Sequence, residues 1–191
     1  MKREELFEKL RRNTKVTFDK PEIKVNGIKY EDTLAQFKAM SQTVGGKVVE
    51  LKPGEDINDV IRAQYPDAKT FASNLSEITI AQKNPDDVAE AKDLNGTDVG
   101  IVRGLLGVAE NGCIWIPQTM KERAVCFISE YLVILLDHNA IVDNMHEAYA
   151  RIDTDGLCYG CFMSGPSKTA DIEQALVMGA QAAKGVCVVL I

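Results

Sequence analysis

Apolar residues recur every three to four positions in some stretches of this chain and run unbroken in others. Leu6, Phe7 and Leu10 stand at helical spacing among charges and predict an exposed amphipathic helix over residues 2–12. Leu34, Phe37 and Met40 share one face of a second predicted helix, 32–43, which Gly45-Gly46 stops. Weaker helical spacing covers 58–64, ending before Pro66, then 86–92 and 145–152, with a helical turn at 121–127. The unbroken apolar runs 131–136 and 186–191 read as strands covered on both faces. Further strands are expected at 47–51, 70–73, 98–102, 105–110, 113–116 and 157–163, and the partly alternating 20–30 reads as a short hairpin.

Alternation of strands and helices predicts an α/β fold with a mainly parallel sheet flanked by helices. An N-terminal helical arm and connector, 1–30, would precede a domain over 31–191. The closing unit carries most of this expectation. A strand at 157–163, an alanine-rich helix at 170–183 and a strand at 186–191 would form a βαβ crossover between parallel strands. The loop 164–169 would then join a strand's carboxyl end to a helix's amino end, the edge where open α/β sheets hold ligands.

Composition narrows the function. The chain has 191 residues, 22 Lys plus Arg against 28 Asp plus Glu, and a net charge of −6. Nucleic-acid binding needs a clustered basic surface, so no nucleic-acid partner is expected, whereas a small anionic ligand remains compatible with a locally positive site. No apolar run approaches the ~20 residues that cross a bilayer. The N-terminus has no apolar signal core, and the five cysteines are odd in number and form no disulfide scaffold, so a cytoplasmic location is expected.

The loop 164–169 holds the densest chemistry. Gly165 permits close approach, Pro166 stiffens the turn, and Ser167 and Thr169 are each suited to cap the predicted helix or to bind a ligand. Lys168 adds a positive charge beside a helix amino end, while Asp171 and Glu173 stand in its first turn. Together with Ser164 these residues would cradle a phosphate or a carboxylate. On spacing alone a plain helix cap is preferred, because the loop is neither a Walker P-loop nor a dinucleotide fingerprint.

The run Ser164-Gly165-Pro166-Ser167-Lys168-Thr169-Ala170-Asp171-Ile172-Glu173, with the apolar segment after it, resembles the signature of LUD-domain proteins, the lactate-utilization family, and in particular its short C type. Gly107-Val108-Ala109-Glu110-Asn111-Gly112-Cys113-Ile114 is similar to a second family segment, and 185–191 to its last strand. The resemblance covers roughly the second half, from about Thr97. Two positions depart from it: Gln181-Ala182-Ala183 stands where the family usually has His-Gly-Pro, and Lys168 where it often has Arg. The resemblance implies a fold like that of ribose-5-phosphate isomerase and the CoA transferases. It also implies a place in bacterial oxidation of L-lactate to pyruvate, beside iron–sulfur partner proteins that would hold the clusters.

Glu110-Asn111-Gly112 invites a catalytic alternative, since class I CoA transferases set a nucleophilic Glu in a similar context and a carboxylate can pass an acyl group through an anhydride. An Asn-Gly hairpin with Glu110 beside it is the preferred reading. Asp171 or Glu173 acting as an isomerase-type base beside Lys168 is a weaker variant. Cys158 and Cys161 form the one Cys-x-x-Cys pair, Cys113, Cys126 and Cys187 are scattered among apolar residues, and His138 and His146 have no matching ligand set. No metal and no cofactor are expected in this chain. Three functions stay open: a small-anion-binding or partner-binding subunit, an acyl-transfer or isomerase enzyme using Glu110, and a scaffold for an iron–sulfur oxidoreductase. A homo-oligomer is compatible with each.

Overall fold

A computed structural model describes residues 3–13, 25–170 and 176–191. Its centre is a five-stranded, wholly parallel sheet built from β1 (Lys47–Glu50), β2 (Phe71–Ala72), β3 (Val99–Arg103), β6 (Tyr131–Leu136) and β11 (Gly185–Leu190), in the order β1-β11-β6-β3-β2. Side chains alternate across it. Leu132, Ile134, Leu136, Val186, Val188 and Leu190 enter one core; Val133, Leu135, Cys187 and Val189 enter the other. Burial on both faces explains why β6 and β11 are unbroken apolar runs.

On the first face lie α2 (Thr33–Thr43), α4 (Val125–Ile128) and a second sheet, and on the other face α3 (Ile57–Gln64) buries Ile61. The second sheet has the order β7-β4-β5-β8: β4 (Leu106–Val108), β5 (Ile114–Pro117), β7 (Ile141–Val142) and β8 (Gly160–Met163). Its Ile114 and Ile116 pack toward the parallel sheet, while Leu106, Val108 and Val142 pack beneath α5 (Met145–Arg151) through Ala148. Local chemistry starts the helices. Asp32 caps α2 by accepting from Ala35 N at 2.8 Å, and Asp56 caps α3 by accepting from Asn58 N at 2.7 Å. α1 (Arg3–Asn13) is the expected amphipathic helix, and none of its residues is buried.

The α/β class and the parallel sheet agree with expectation, but the closing crossover does not. Residues 168–170 form β9 (Lys168–Ala170), paired antiparallel with β10 (Leu176–Met178), where a helix over 170–183 was expected. Gly179 then takes φ +76, a left-handed turn that a continuing helix cannot contain. Alanine-rich composition is a weak propensity, and strand pairing overrides it here. β8 pairs antiparallel with β5 in the second sheet, so it is not a parallel neighbour of β11.

Smaller differences have local causes. Residues 86–90 form turns and bends rather than a helix, and the last two positions of the expected span open a 3-10 helix, Ala91–Leu94. The helical turn near 121–127 falls at α4, and the strand expected from 157 begins at Gly160. Of the expected hairpin 20–30, residues 20–24 lie outside the described residues and 25–30 are irregular. Strand β7, only two residues long, has no periodic signal.

Candidate functional site

Helix α2 ends where its chain turns through Val44-Gly45-Gly46. Gly45 N donates to Gln42 O at 2.9 Å and Gly46 N to Ser41 O at 2.8 Å, with Gly45 at φ +91. The carbonyl of Val44 is left at the negative end of the helix, and Lys168 Nζ donates to it at 2.6 Å. Gly165, at φ +63, lies so close that a Cβ there would stand 2.7 Å from Val44 O. Ser164 Oγ donates to Asn111 O at 2.8 Å, and Pro166 is buried. Asn111-Gly112 forms the turn between β4 and β5: Gly112 N donates to Val108 O at 2.9 Å with φ +65, and Asn111 Oδ1 accepts from Cys113 N at 3.1 Å. Gly112 in turn abuts α2, since a Cβ on it would stand 3.0 Å from Ser41 N.

Three glycine turns, far apart in sequence, therefore meet at one helix end. Two of them are the segments singled out from the sequence, the 164–169 loop and Glu110-Asn111-Gly112. Their placement differs from expectation in one respect. The loop leads into β9, not into a helix, and it borders the amino ends of β1 and β11, where Ser167 N donates to Ala183 O at 2.9 Å. It stands at the opposite edge from the carboxyl ends of the parallel strands, because the crossover that would have put it there is not formed. Ser167 O also accepts from Gly179 N at 3.0 Å, which ties the loop to the end of β10. Thr169 belongs to β9, and Asp171 and Glu173 lie outside the described residues. Ala183, in the segment that departs from the family pattern, is buried, while Gln181 is exposed.

Glu110 is exposed and points at α5: its Oε2 accepts from Met145 N at 3.0 Å, and its own N–H donates to Asp143 O at 2.9 Å. A carboxylate on the first amide of a helix is electrostatically favoured there. Beside it lies a cluster that the sequence gives no means of finding, because Lys29 and Thr33 are more than a hundred residues from Asp143 and Glu147. Asp143 is buried, accepting from Thr33 Oγ1 at 2.6 Å and facing Lys29 Nζ at 3.2 Å; Lys29 also pairs with Glu147 at 2.7 Å. Asn144 Nδ2 donates to Ile28 O at 2.9 Å and caps α5 by accepting from Glu147 N at 3.1 Å. This network fastens the connector 25–32 onto the domain.

The hydroxyl of Thr33, and then Lys29, hold the Asp143 carboxyl below its ordinary range, and Glu147, then Asp143, raise the Lys29 ammonium. A depressed carboxyl stabilises the fold above its unfolded value and loses that contribution as pH falls through the folded one. Asp143→Ala should accordingly cost about 2 kcal/mol at pH 7, the size of a hydrogen bond to a charged acceptor. Urea unfolding at a series of pH values checks this: the gap from the parent chain should close as the solution is taken from pH 7 into the acid range below ~3.9. A gap of unchanged size at low pH would mean that the carboxylate is not its source.

Burial pushes the thiols of Cys113 and Cys187 up to about 11 and that of Cys126 up to about 12, so these behave as apolar side chains near neutrality. Cys161 is half-buried in β8, its thiol also raised by burial, and Cys158 is exposed ahead of that strand. His138 is exposed, with Nδ1 2.9 Å from the Ile191 carbonyl oxygen. Among the described residues, no group of three or more His, Cys, Asp or Glu is arranged to hold a metal ion, and no helix is long and apolar enough to cross a membrane.

The architecture is that of a known α/β protein: a DUF162 family protein from Deinococcus radiodurans superposes with a TM-score of 0.63 at 13% identity, over 83% of this chain and 95% of that one. The chain belongs to the LUD domain family, whose pattern it matches over residues 86–191, a span that includes both glycine turns contributed by β4–β5 and β8–β9. It is similar to lactate utilization protein C of Shouchella clausii, 30% identical over 100 residues, which is 49% of this chain and 44% of that protein. Lactate utilization protein C of Geobacillus kaustophilus is 26% identical over 130 residues, 64% of this chain and 51% of that one. The chain thus spans about half the length of the curated relatives it matches.

Proposed function

We propose that this chain is a lactate-utilization protein that takes part in the oxidation of L-lactate to pyruvate as a partner-binding subunit, leaving electron transfer to iron–sulfur proteins. Family membership and the two relatives support the process. The observation that carries the choice of role is the use made of the signature loop. Ser164 Oγ, Ser167 N and Lys168 Nζ each donate to a carbonyl of the chain itself. A receptacle for a free anion would turn such donors outward, whereas a loop locked onto its own domain presents a fixed surface to another protein. Glu110, spent on the first amide of α5, fits the same role better than that of a nucleophile.

Growth provides the test. In a bacterium deleted for its own lactate utilization protein C, this chain should restore growth on L-lactate, and Glu110→Gln should restore it equally. An expressed, folded chain that restores nothing would sink the proposal. Loss of growth with Glu110→Gln would move the reading to acyl transfer. The anion-binding form of the role makes a separate forecast: millimolar L-lactate or phosphate should raise the melting temperature by mass action, and under the reading preferred here it does not.

A further inference from the structure

The sequence sets Asn before Gly three times, at 26–27, 95–96 and 111–112. In such a pair the glycine nitrogen attacks the asparagine Cγ, because glycine has no Cβ to crowd the approach. Ammonia leaves, a five-membered succinimide closes, and water opens it to aspartate or to isoaspartate, in which the main chain runs through the former side-chain carbonyl. Attack needs an unengaged glycine N–H, an unengaged side-chain amide and a peptide able to turn about the asparagine Cα–C bond. The three pairs differ in these respects. Asn111-Gly112 is locked: Gly112 N donates to Val108 O at 2.9 Å, Asn111 Oδ1 accepts from Cys113 N at 3.1 Å, Asn111 O accepts from Ser164 Oγ at 2.8 Å, and Gly112 is buried. At Asn26-Gly27 the obstacle is packing, since a Cβ on Gly27 would stand 2.5 Å from Asn144 Nδ2, on the side chain that caps α5.

Asn95-Gly96 lies open. Both residues are exposed, a Cβ on Gly96 would meet nothing within 4 Å, and among the described residues neither the Asn95 side chain nor Gly96 N has a hydrogen-bond partner. The pair forms a turn closed by Thr97 N, which donates to Leu94 O at 3.2 Å, with Asn95 at ψ +143 and Gly96 at φ +73. From that ψ the 95–96 peptide has to swing before Gly96 N reaches Cγ. The swing releases two bonds at the surface, the long turn bond and the one that Lys83 Nζ donates to Asn95 O at 2.6 Å. At Asn111 the same movement breaks three bonds and lifts a buried glycine off α2. We infer that Asn95-Gly96 is the site of spontaneous succinimide and isoaspartate formation in the folded chain, and that the fold itself protects the Asn111-Gly112 pair of the signature segment. The inference is independent of the functional reading above.

The purified full chain is incubated folded in mildly alkaline buffer, and in parallel in urea. Samples are digested in acid, where the reaction is slow, and the peptides are followed by mass spectrometry. In the folded chain Asn95 should convert at least about tenfold faster than Asn111, the factor expected when further hydrogen bonds must open first. Asn26 should also lag behind Asn95. In urea the three pairs should react at similar rates, because the sequence context is shared and the fold is gone. An isoaspartyl methyltransferase given labelled S-adenosylmethionine, whose methyl group passes from the sulfonium to the isoaspartate carboxylate, should place its label on the peptide that carries residue 95. Asn95→Gln should remove most of that label. The Asn95 side chain is exposed and unbonded, so the variant should melt at the parent temperature. Equal rates at Asn95 and Asn111 in the folded chain, an Asn26 that outpaces Asn95, an Asn95 that reacts only in urea, or label that survives Asn95→Gln would each overturn the inference.

Discussion

Phe37→Ala is expected to lower the stability of the fold by about 3–5 kcal/mol, the range for truncating a fully buried aromatic ring. Phe37 is 0% exposed and lies between the two sheets. On one side stands Leu136 at the end of β6, and on the other Gly107 in β4. A Cβ on Gly107 would be 3.1 Å from Phe37 Cε2 and 2.9 Å from Leu136 Cδ2, so the ring occupies the room that Gly107 leaves by having no side chain. Deleting it removes the contact that seats α2 and leaves a void beside Gly107, which has no side chain with which to fill it. For a chain of this size each kcal/mol is worth roughly 2–4 °C, so thermal unfolding should shift down by ~6–20 °C. Phe37→Leu should recover most of the loss, since it keeps the burial and gives up only part of the volume. A shift of a degree or two for Phe37→Ala would mean that α2 is not the wedge between the sheets.

The same helix shows what the sequence discloses and what it withholds. Asp32, the spacing of Leu34, Phe37 and Met40, and Gly45-Gly46 define the start, face and end of α2 almost to the residue, because each acts within one or two turns of chain. The buried strands β6 and β11 are equally plain, since a strand covered on both faces has no polar positions to interrupt it. The hairpin β9–β10 was concealed. Its residues have helical propensity, and the pairing that overrides it depends on contacts of Ser167 with Gly179 and Ala183, which no local rule weighs. A hairpin in place of a helix puts the loop 164–169 at the opposite edge of the sheet. The chemistry of the loop was legible as residue types, glycine, proline, hydroxyls and a lysine, but not what those groups bind. Their acceptors are carbonyls at Val44, Asn111 and Ala183, which carry no sequence signal because every residue has one. The network of Lys29, Thr33, Asp143 and Glu147 was hidden for a related reason: four common surface residue types become a site only once the fold brings them together.

Gly165→Val probes that junction most directly, and its expected cost is about 3–4 kcal/mol. Two terms add. A side chain at φ +63 costs roughly 1–2 kcal/mol and is worse for a β-branched residue. The new Cβ would also be driven to 2.7 Å from Val44 O, a backbone atom at the end of α2 that has no rotamer through which to turn aside, and overpacking of this kind costs ~1–3 kcal/mol. Relief requires the loop to lift from the helix, which breaks the Lys168–Val44 and Ser164–Asn111 hydrogen bonds together. Ser164→Ala removes only one of them and should cost about 1 kcal/mol or less. Two further substitutions separate the terms. Asn tolerates positive φ far better than Ala, so if conformation dominated, Gly165→Asn would be much milder than Gly165→Ala. Contact with Val44 O makes the opposite demand, because both residues carry the same offending Cβ. Because the two terms add, Gly165→Asn should lose about 1 kcal/mol less than Gly165→Ala in urea unfolding while both stay well above Ser164→Ala, and a benign Gly165→Asn would show that the loop does not press on the end of α2.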